Sequence, residues 1–478
     1  MRNNSLFYNT IIPRLDSVLA IDKSFDLIHR KLAIGGRDAT IYFIDGFVKD
    51  EVLQKMIQQF QSMKEKDMPD TVHEMLDKFI PYFEVDLIQD EKTILKHILS
   101  GAPCLFIDGY DQGISIDCRT YPARSVDEPD KDKVMRGSKD GFVETVVFNT
   151  ALIRRRIRDP KLRMEMFEVG ESSRTDVVVC YMDGRADSKL LDRLRERLQQ
   201  LKIDALSLNQ ESLAEALYES TWLNPFPNFK YCERPDSTAA SLLEGQIAIL
   251  VDNSPAVMLL PTSVFDIMEE ANDYYFPPVT GTYIRITRFL TNLITWLMTP
   301  TFLLFVLNPE WLPPVFEFIL VKEPQNIPLF WQFLILELAI DGLRLASINT
   351  QTMLSTPLSV VAGLVIGEFA VSSGWFNSEA MLYMAFVAIA TYAQTSFEIG
   401  YALKFMRLQL LILTQLFGLW GYIAGILVTV CTVAFNKTLS GRNYLYPLIP
   451  WDGKQLLKRL FRVSLQWSEK NKYSKRKM

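Results

Sequence analysis

FLTNLITWLMTPTFLLFVL (residues 289–307) and QLLILTQLFGLWGYIAGILVTVCTVAF (residues 409–435) each run without an Asp, Glu, Lys, Arg or His. At 1.5 Å per residue, a helix of either length crosses a hydrocarbon core of about 30 Å. Two such blocks in one region predict an all-α polytopic membrane domain over residues 266–445. Between them lie two further apolar runs, residues 354–374 and 380–397, read as spans. A shorter one, residues 326–340, contains Glu337 and reads as a re-entrant helix or a fifth span.

Outside that region the chain changes character. It has 478 residues, with 51 basic and 56 acidic side chains, a balance that does not point to nucleic acid. Most of the charge falls in residues 1–280. The first residues lack the apolar core of a signal peptide, so the N-terminal half is expected to stay in the cytoplasm. Cys104, Cys118, Cys180, Cys232 and Cys431 show no CxxC spacing, which reads as reduced thiols and no zinc site. His29, His73 and His97 have no metal-ligand spacing. With no phosphate loop and no nucleophile beside a histidine, the pattern predicts neither an enzyme nor a cofactor.

Residues 1–35 suggest an N-terminal helical segment, with an amphipathic run from Ile21 to Leu32. ATIYFIDG (residues 39–46) is strand-like and closes on Asp-Gly. Helical patterns follow, then a hairpin over residues 102–118 turning at Asp108-Gly109. The same order returns as DVVVCYMDG (residues 176–184), an amphipathic helix from Ser188, and a hairpin over residues 245–261 turning near Asn253. This predicts two related α/β subdomains, residues 36–130 and 176–265, as a weak internal repeat. Residues 131–175 between them read as a basic helical connector. Its Arg154-Arg155-Arg156 cluster suits a phosphate, an acidic membrane face or a partner's carboxylates; the plainer reading is a solvated face with salt bridges.

Two blocks carry a resemblance. The first is Arg136-Gly137, Gly141-Phe142-Val143-Glu144, Asn149 and Leu152-Ile153-Arg154-Arg155-Arg156. The second is Glu233-Arg234-Pro235-Asp236 followed by Leu243-Glu244-Gly245. Together they resemble a signature of the A subunits of spore germinant receptors, the GerA family of endospore-forming bacteria, over residues 36–450. The block from Tyr274 to Tyr283 is most similar to a branch of that family linked to dipicolinic acid transport. The resemblance implies a spore germination protein of the inner spore membrane that forms ring-shaped homo-oligomers and an ion channel. The alternatives are a nutrient-receptor A subunit or a non-conducting, signal-transmitting scaffold. Membrane lipid, a small membrane subunit or other receptor components are the implied partners.

Within the apolar half, the acids Glu337, Asp341, Glu368 and Glu398 are the candidates for a pore or polar pathway. A carboxylate in lipid is costly unless it pairs, takes up a proton or faces water. Arg344, Lys404 and Arg407 are the cations available to pair with them. Gly363 with Gly367, and Gly421 with Gly425, form GxxxG pairs expected at close helix contacts. The basic tail, residues 446–478, is expected in the cytoplasm by the positive-inside rule. That side for both ends requires an even number of full spans, at the cost of placing Lys404 and Arg407 outside.

Overall fold

The structure is a computed structural model. It describes residues 5–80, 82–120, 134, 137–218, 224–322, 326–349, 370–436, 438–439, 441 and 443–462. The chain divides into two units: residues 1–220 with 229–261, and residues 221–228 with 262–478.

The first unit holds two five-stranded antiparallel sheets of the same design. In the first, β1 (Leu27–Ile34), β2 (Arg37–Ile44), β3 (Val85–Ile88), β4 (Cys104–Ile107) and β5 (Gly113–Ile116) are ordered β1-β2-β4-β5-β3. In the second, β6 (Leu162–Val169), β7 (Thr175–Met182), β8 (Lys230–Cys232), β9 (Ile247–Val251) and β10 (Val257–Leu260) are ordered β6-β7-β9-β10-β8. Helices fall at matching places. After β2 come Asp50–Ser62 and Val72–Phe79, and after β7 come Ser188–Gln200 and Gln210–Leu217. Between the third and fourth strands lie Glu91–Leu99 and Pro235–Glu244. The expected α/β half of two related subdomains is therefore present.

The elements follow from local chemistry. Leu53, Met56, Ile57 and Phe60 recur at helical spacing and are the buried side of Asp50–Ser62. Asp90 caps its helix by accepting from the Thr93 N–H at 3.1 Å. Strand β2 is buried on both faces. Ala39 and Ile41 join the cluster around Phe60 and Leu105, while Tyr42 and Ile44 join the one around Leu15, Ile94 and Phe106. Cys104, Cys118, Cys180 and Cys232 are buried in these cores, and burial pushes the Cys104 thiol up to about 12 and the Cys118 thiol to about 11.

Two expectations are corrected. The run from Ile21 to Leu32 is not one amphipathic helix: the N-terminal helix is Ser5–Leu19, Ile21–Lys23 is a single 3-10 turn, and Leu27–Ile34 is strand β1. Likewise the basic connector is helical only over Val146–Arg156, because Leu162–Val169 is strand β6. Each strand pairs along its full length in a hairpin, Leu27 opposite Ile44 and Leu162 opposite Met182. Both are edge strands, where charged side chains are tolerated and discourage further pairing. The repeats therefore begin earlier than the strand-and-turn reading placed them.

The second unit is helical. A lead helix, Pro278–Leu307, runs unbroken through Pro300. An acidic helix, Leu329–Asn349, extends beyond the apolar run at 326–340. After Ser378–Tyr392 comes a basic helix, Phe397–Ala434, and then a short tail helix, Gly453–Leu460. Among the described residues, the lead helix, and the basic helix taken end to end, are long and apolar enough to cross a membrane by length and composition.

The basic helix is not straight. Gly418 has φ 56° and ψ −131°, outside the range of side-chain-bearing residues. A Cβ on Gly425 would stand 3.2 Å from the Leu410 Cα. In a straight helix those two positions lie roughly 22 Å apart, so the chain reverses at Gly418. The apolar block 409–435 is thus divided at this turn.

Candidate functional site

In the helical unit, the acidic helix carries Glu337, Asp341 and Arg344 at spacings of four and three, which aligns them on one face. The basic helix answers with Arg407, Lys404 and Tyr401 in the opposite direction. Arg407 Nε donates to Glu337 Oε1 at 2.7 Å, and Lys404 Nζ pairs with Asp341 while lying 3.7 Å from Glu337 Oε2. One turn on, the Arg344 guanidinium lies 5.1 Å from the ring centres of Tyr392 and Tyr401 and 5.9 Å from that of Phe397. Arg407 also donates to the Thr295 carbonyl of the lead helix, and Gln394 Nε2 donates to Thr295 Oγ1 at 3.0 Å. Glu337, Lys404 and Arg407 are buried.

This quartet is charge-balanced, two carboxylates against two cations. It holds two helices in register and presents no uncompensated negative charge of its own. Glu398 differs: it is exposed on the first turn of the basic helix, where it accepts from Ser396 Oγ at 2.5 Å. Glu368, Gly363 and Gly367 lie outside the described residues. Gly421 and Gly425 face Leu413 and Leu410 across the reversal, where a Cβ on either would clash.

A second ionic cluster closes the start of the lead helix. Asp273 is fully buried, with Arg285 Nε at 3.0 Å from Oδ2 and the Arg288 guanidinium at 3.0 and 3.1 Å from its two oxygens. Arg285 reaches Glu269 at 2.8 Å and Arg288 reaches Glu270 at 2.6 Å. Arg459 of the tail helix pairs with Asp266 and Glu269. In the sequence, Arg285 and Arg288 stand just before the charge-free run that starts at Phe289 and read only as the boundary of that span. The signal that reading missed is the acid-rich run Asp266, Glu269, Glu270 and Asp273 just upstream.

In the first unit, the two quoted blocks meet. Arg154 is fully buried and bidentate to Asp26 at 2.7 and 3.0 Å, and it donates to the Leu162 carbonyl at 3.2 Å. Arg156 pairs with Asp140 at 2.8 Å and reaches Ser138 Oγ at 3.0 Å, while Arg155 is exposed. Asn149 Oδ1 accepts from the Val143 N–H at 2.8 Å. From the second block, Arg234 pairs with Asp236 at 2.7 Å and donates to the Ser138 carbonyl at 2.7 Å, next to the exposed Gly137. Phe142, beside the buried Gly141, donates through its N–H to the Glu233 carbonyl at 2.9 Å, and Asn253 donates likewise to the Glu144 carbonyl at 2.7 Å. Pro235 and Glu244 begin and end their helix, and Gly245 (φ 102°) caps it on the Leu242 carbonyl, where a Cβ would strike the Arg185 carbonyl. Arg136 lies outside the described residues. The cluster read as a surface for phosphate or membrane therefore has Arg154 and Arg156 engaged in internal ion pairs.

Comparison with known proteins places these features in a family. The family model described as Bacillus/Clostridium GerA spore germination protein matches residues 17–474. Stage V sporulation protein AF of Bacillus subtilis is 36% identical over 92% of this chain and 89% of its own. Spore germination protein KA of the same organism is 27% identical over 94% of this chain and 84% of its own. The crystal structure of the N-terminal domain of the A subunit of the Bacillus megaterium spore germinant receptor GerK3 is 26% identical. It covers 52% of this chain and 92% of that one, with a TM-score of 0.39.

Proposed function

The chain belongs to the GerA family of spore germination proteins, and from that premise we propose that it is a membrane subunit that promotes ion release during spore germination. In this reading its apolar helices make a multi-pass domain in the inner spore membrane. The sheet-bearing half and the basic tail lie in the cytoplasm, and several copies assemble around a shared path for cations. The observation that carries the reading is the quartet of Glu337, Asp341, Lys404 and Arg407 between helices of apolar composition, with Glu337, Lys404 and Arg407 buried and Asp341 partly exposed at its edge. Burying three charges is costly, and replacing such a cluster with apolar residues is often neutral or stabilising. A charge network retained there suits an element with two arrangements, in which pairing holds one state and its rupture accompanies the other.

A second reading is a non-conducting scaffold that transmits a germination signal. It is favoured by the same quartet's charge balance, since Glu337 and Asp341 are neutralised by their neighbours and offer a cation no free carboxylate.

Spores lacking the chain separate these roles from that of a dedicated nutrient receptor. Potassium and dipicolinic acid release is followed with several nutrients and a non-nutrient trigger. Slower release with every nutrient supports a shared release component, whereas loss of response to one nutrient alone contradicts it.

A further inference from the structure

The tail helix, Gly453–Leu460, presents a surface that the rest of the described chain leaves uncovered. Asp452 caps it by accepting from the Lys454 and Gln455 N–H groups at 3.1 Å each. Leu457 and Phe461 are one turn apart and exposed, and Trp451 at its start is 72% exposed. Lys454 and Lys458, also one turn apart, flank this apolar stripe and form no ion pair among the described residues.

The helix is nevertheless fixed in place. Arg459 is tied to Asp266 and Glu269, and Arg285 of the lead helix donates to the Lys458 and Arg459 carbonyls at 3.0 and 3.3 Å. Arg462 donates through its N–H to Thr282 Oγ1 at 3.1 Å. These anchors set the helix level with residues 282–285. That is roughly 6–10 Å along the lead helix before its apolar run begins at Phe289. Bilayer headgroups occupy a layer of similar thickness next to the hydrocarbon.

We propose that the tail helix and Trp451 form an interfacial docking surface for anionic phospholipid, with Lys454 and Lys458 on the headgroups and Trp451, Leu457 and Phe461 among the acyl chains. The charge of the flanking lysines selects an anionic surface, and the apolar stripe selects a lipid one. Arg459 and Arg462, engaged with the protein, orient the helix and leave the two lysines outward. The inference rests on the reading that the lead helix crosses the membrane.

The test uses the full chain in lipid nanodiscs of phosphatidylcholine alone, or of phosphatidylcholine mixed equally with phosphatidylglycerol. Backbone hydrogen exchange is read over residues 451–462. Exchange is expected to be roughly tenfold slower in the phosphatidylglycerol discs, and the difference should vanish in Lys454→Glu/Lys458→Glu. Equal exchange in both discs, with the chain inserted, overturns the docking surface while leaving the membrane reading intact. Protection that survives the charge reversal overturns it as well. A chain that does not co-elute with either disc overturns the membrane reading and the inference together.

Discussion

At the scale of single residues, buried charge is arranged by pairing across long sequence distance. Arg154 and Asp26 have side chains essentially without exposure, so losing one leaves the other desolvated and alone. Arg154→Met is expected to lower stability by about 3–5 kcal/mol, and Arg154→Met with Asp26→Asn to recover most of that loss. Thermal melting of the purified chain in detergent reads both; a single variant that melts with the parent would show that the pair contributes nothing. Glu337 and Arg407 obey the same logic. Glu337→Gln alone is expected to destabilise by a comparable amount, about 3–5 kcal/mol, and Glu337→Gln with Arg407→Met much less. A double-mutant cycle with no coupling would contradict the pairing. Lys404 and Arg407 were legible in advance as cations available to the acids, but which acid meets which cation was not. The acids and the cations were each visible as unusual residues in apolar sequence, but the register that sets Glu337 on Arg407 and Asp341 on Lys404 is a property of two packed helices.

At the scale of elements, the strands with β-branched cores and Asp-Gly ends, β2 and β7, could be read directly. β1 and β6 could not. HRK in the first and the alternating charges of LRMEMFEV in the second belong to sheet edges, where one face meets solvent and no continuous apolar run is needed. β3 and β8 are also edge strands, four and three residues long, too short to leave a pattern. The reversal at Gly418 was hidden for the opposite reason: the apolar run continues through it, and composition carries no mark of direction. Cysteines placed at Leu410 and Gly425, in a chain lacking Cys431, are expected to crosslink readily under mild oxidation. A straight helix would keep them far beyond disulfide reach, so absence of the crosslink contradicts the reversal. Gly418→Ala should cost on the order of 1–3 kcal/mol through backbone strain, read as a lowered melting temperature.

At the scale of the whole molecule, the chain joins a duplicated pair of antiparallel sheets to a helical half in which, among the described residues, the lead helix is apolar and of membrane-spanning length and the basic helix reverses at Gly418. The blocks that carried the family resemblance turn out to dock on one another, through Arg234 on the Ser138 carbonyl and Phe142 on the Glu233 carbonyl. That explains physically why two distant stretches form one signature: they are the two sides of one contact. It also shifts attention from the arginine cluster to the helical half, where the Glu337–Arg407 and Asp341–Lys404 pairs form the latch in the proposed release mechanism. The measurement that bears most directly on this account is potassium efflux from liposomes containing the purified chain, compared with Glu337→Gln. The account predicts potassium efflux above that of empty liposomes, rising further when Glu337 no longer holds Arg407. Liposomes that stay sealed with both proteins, each shown to be inserted and folded, would contradict a conducting role and leave the scaffold reading in its place.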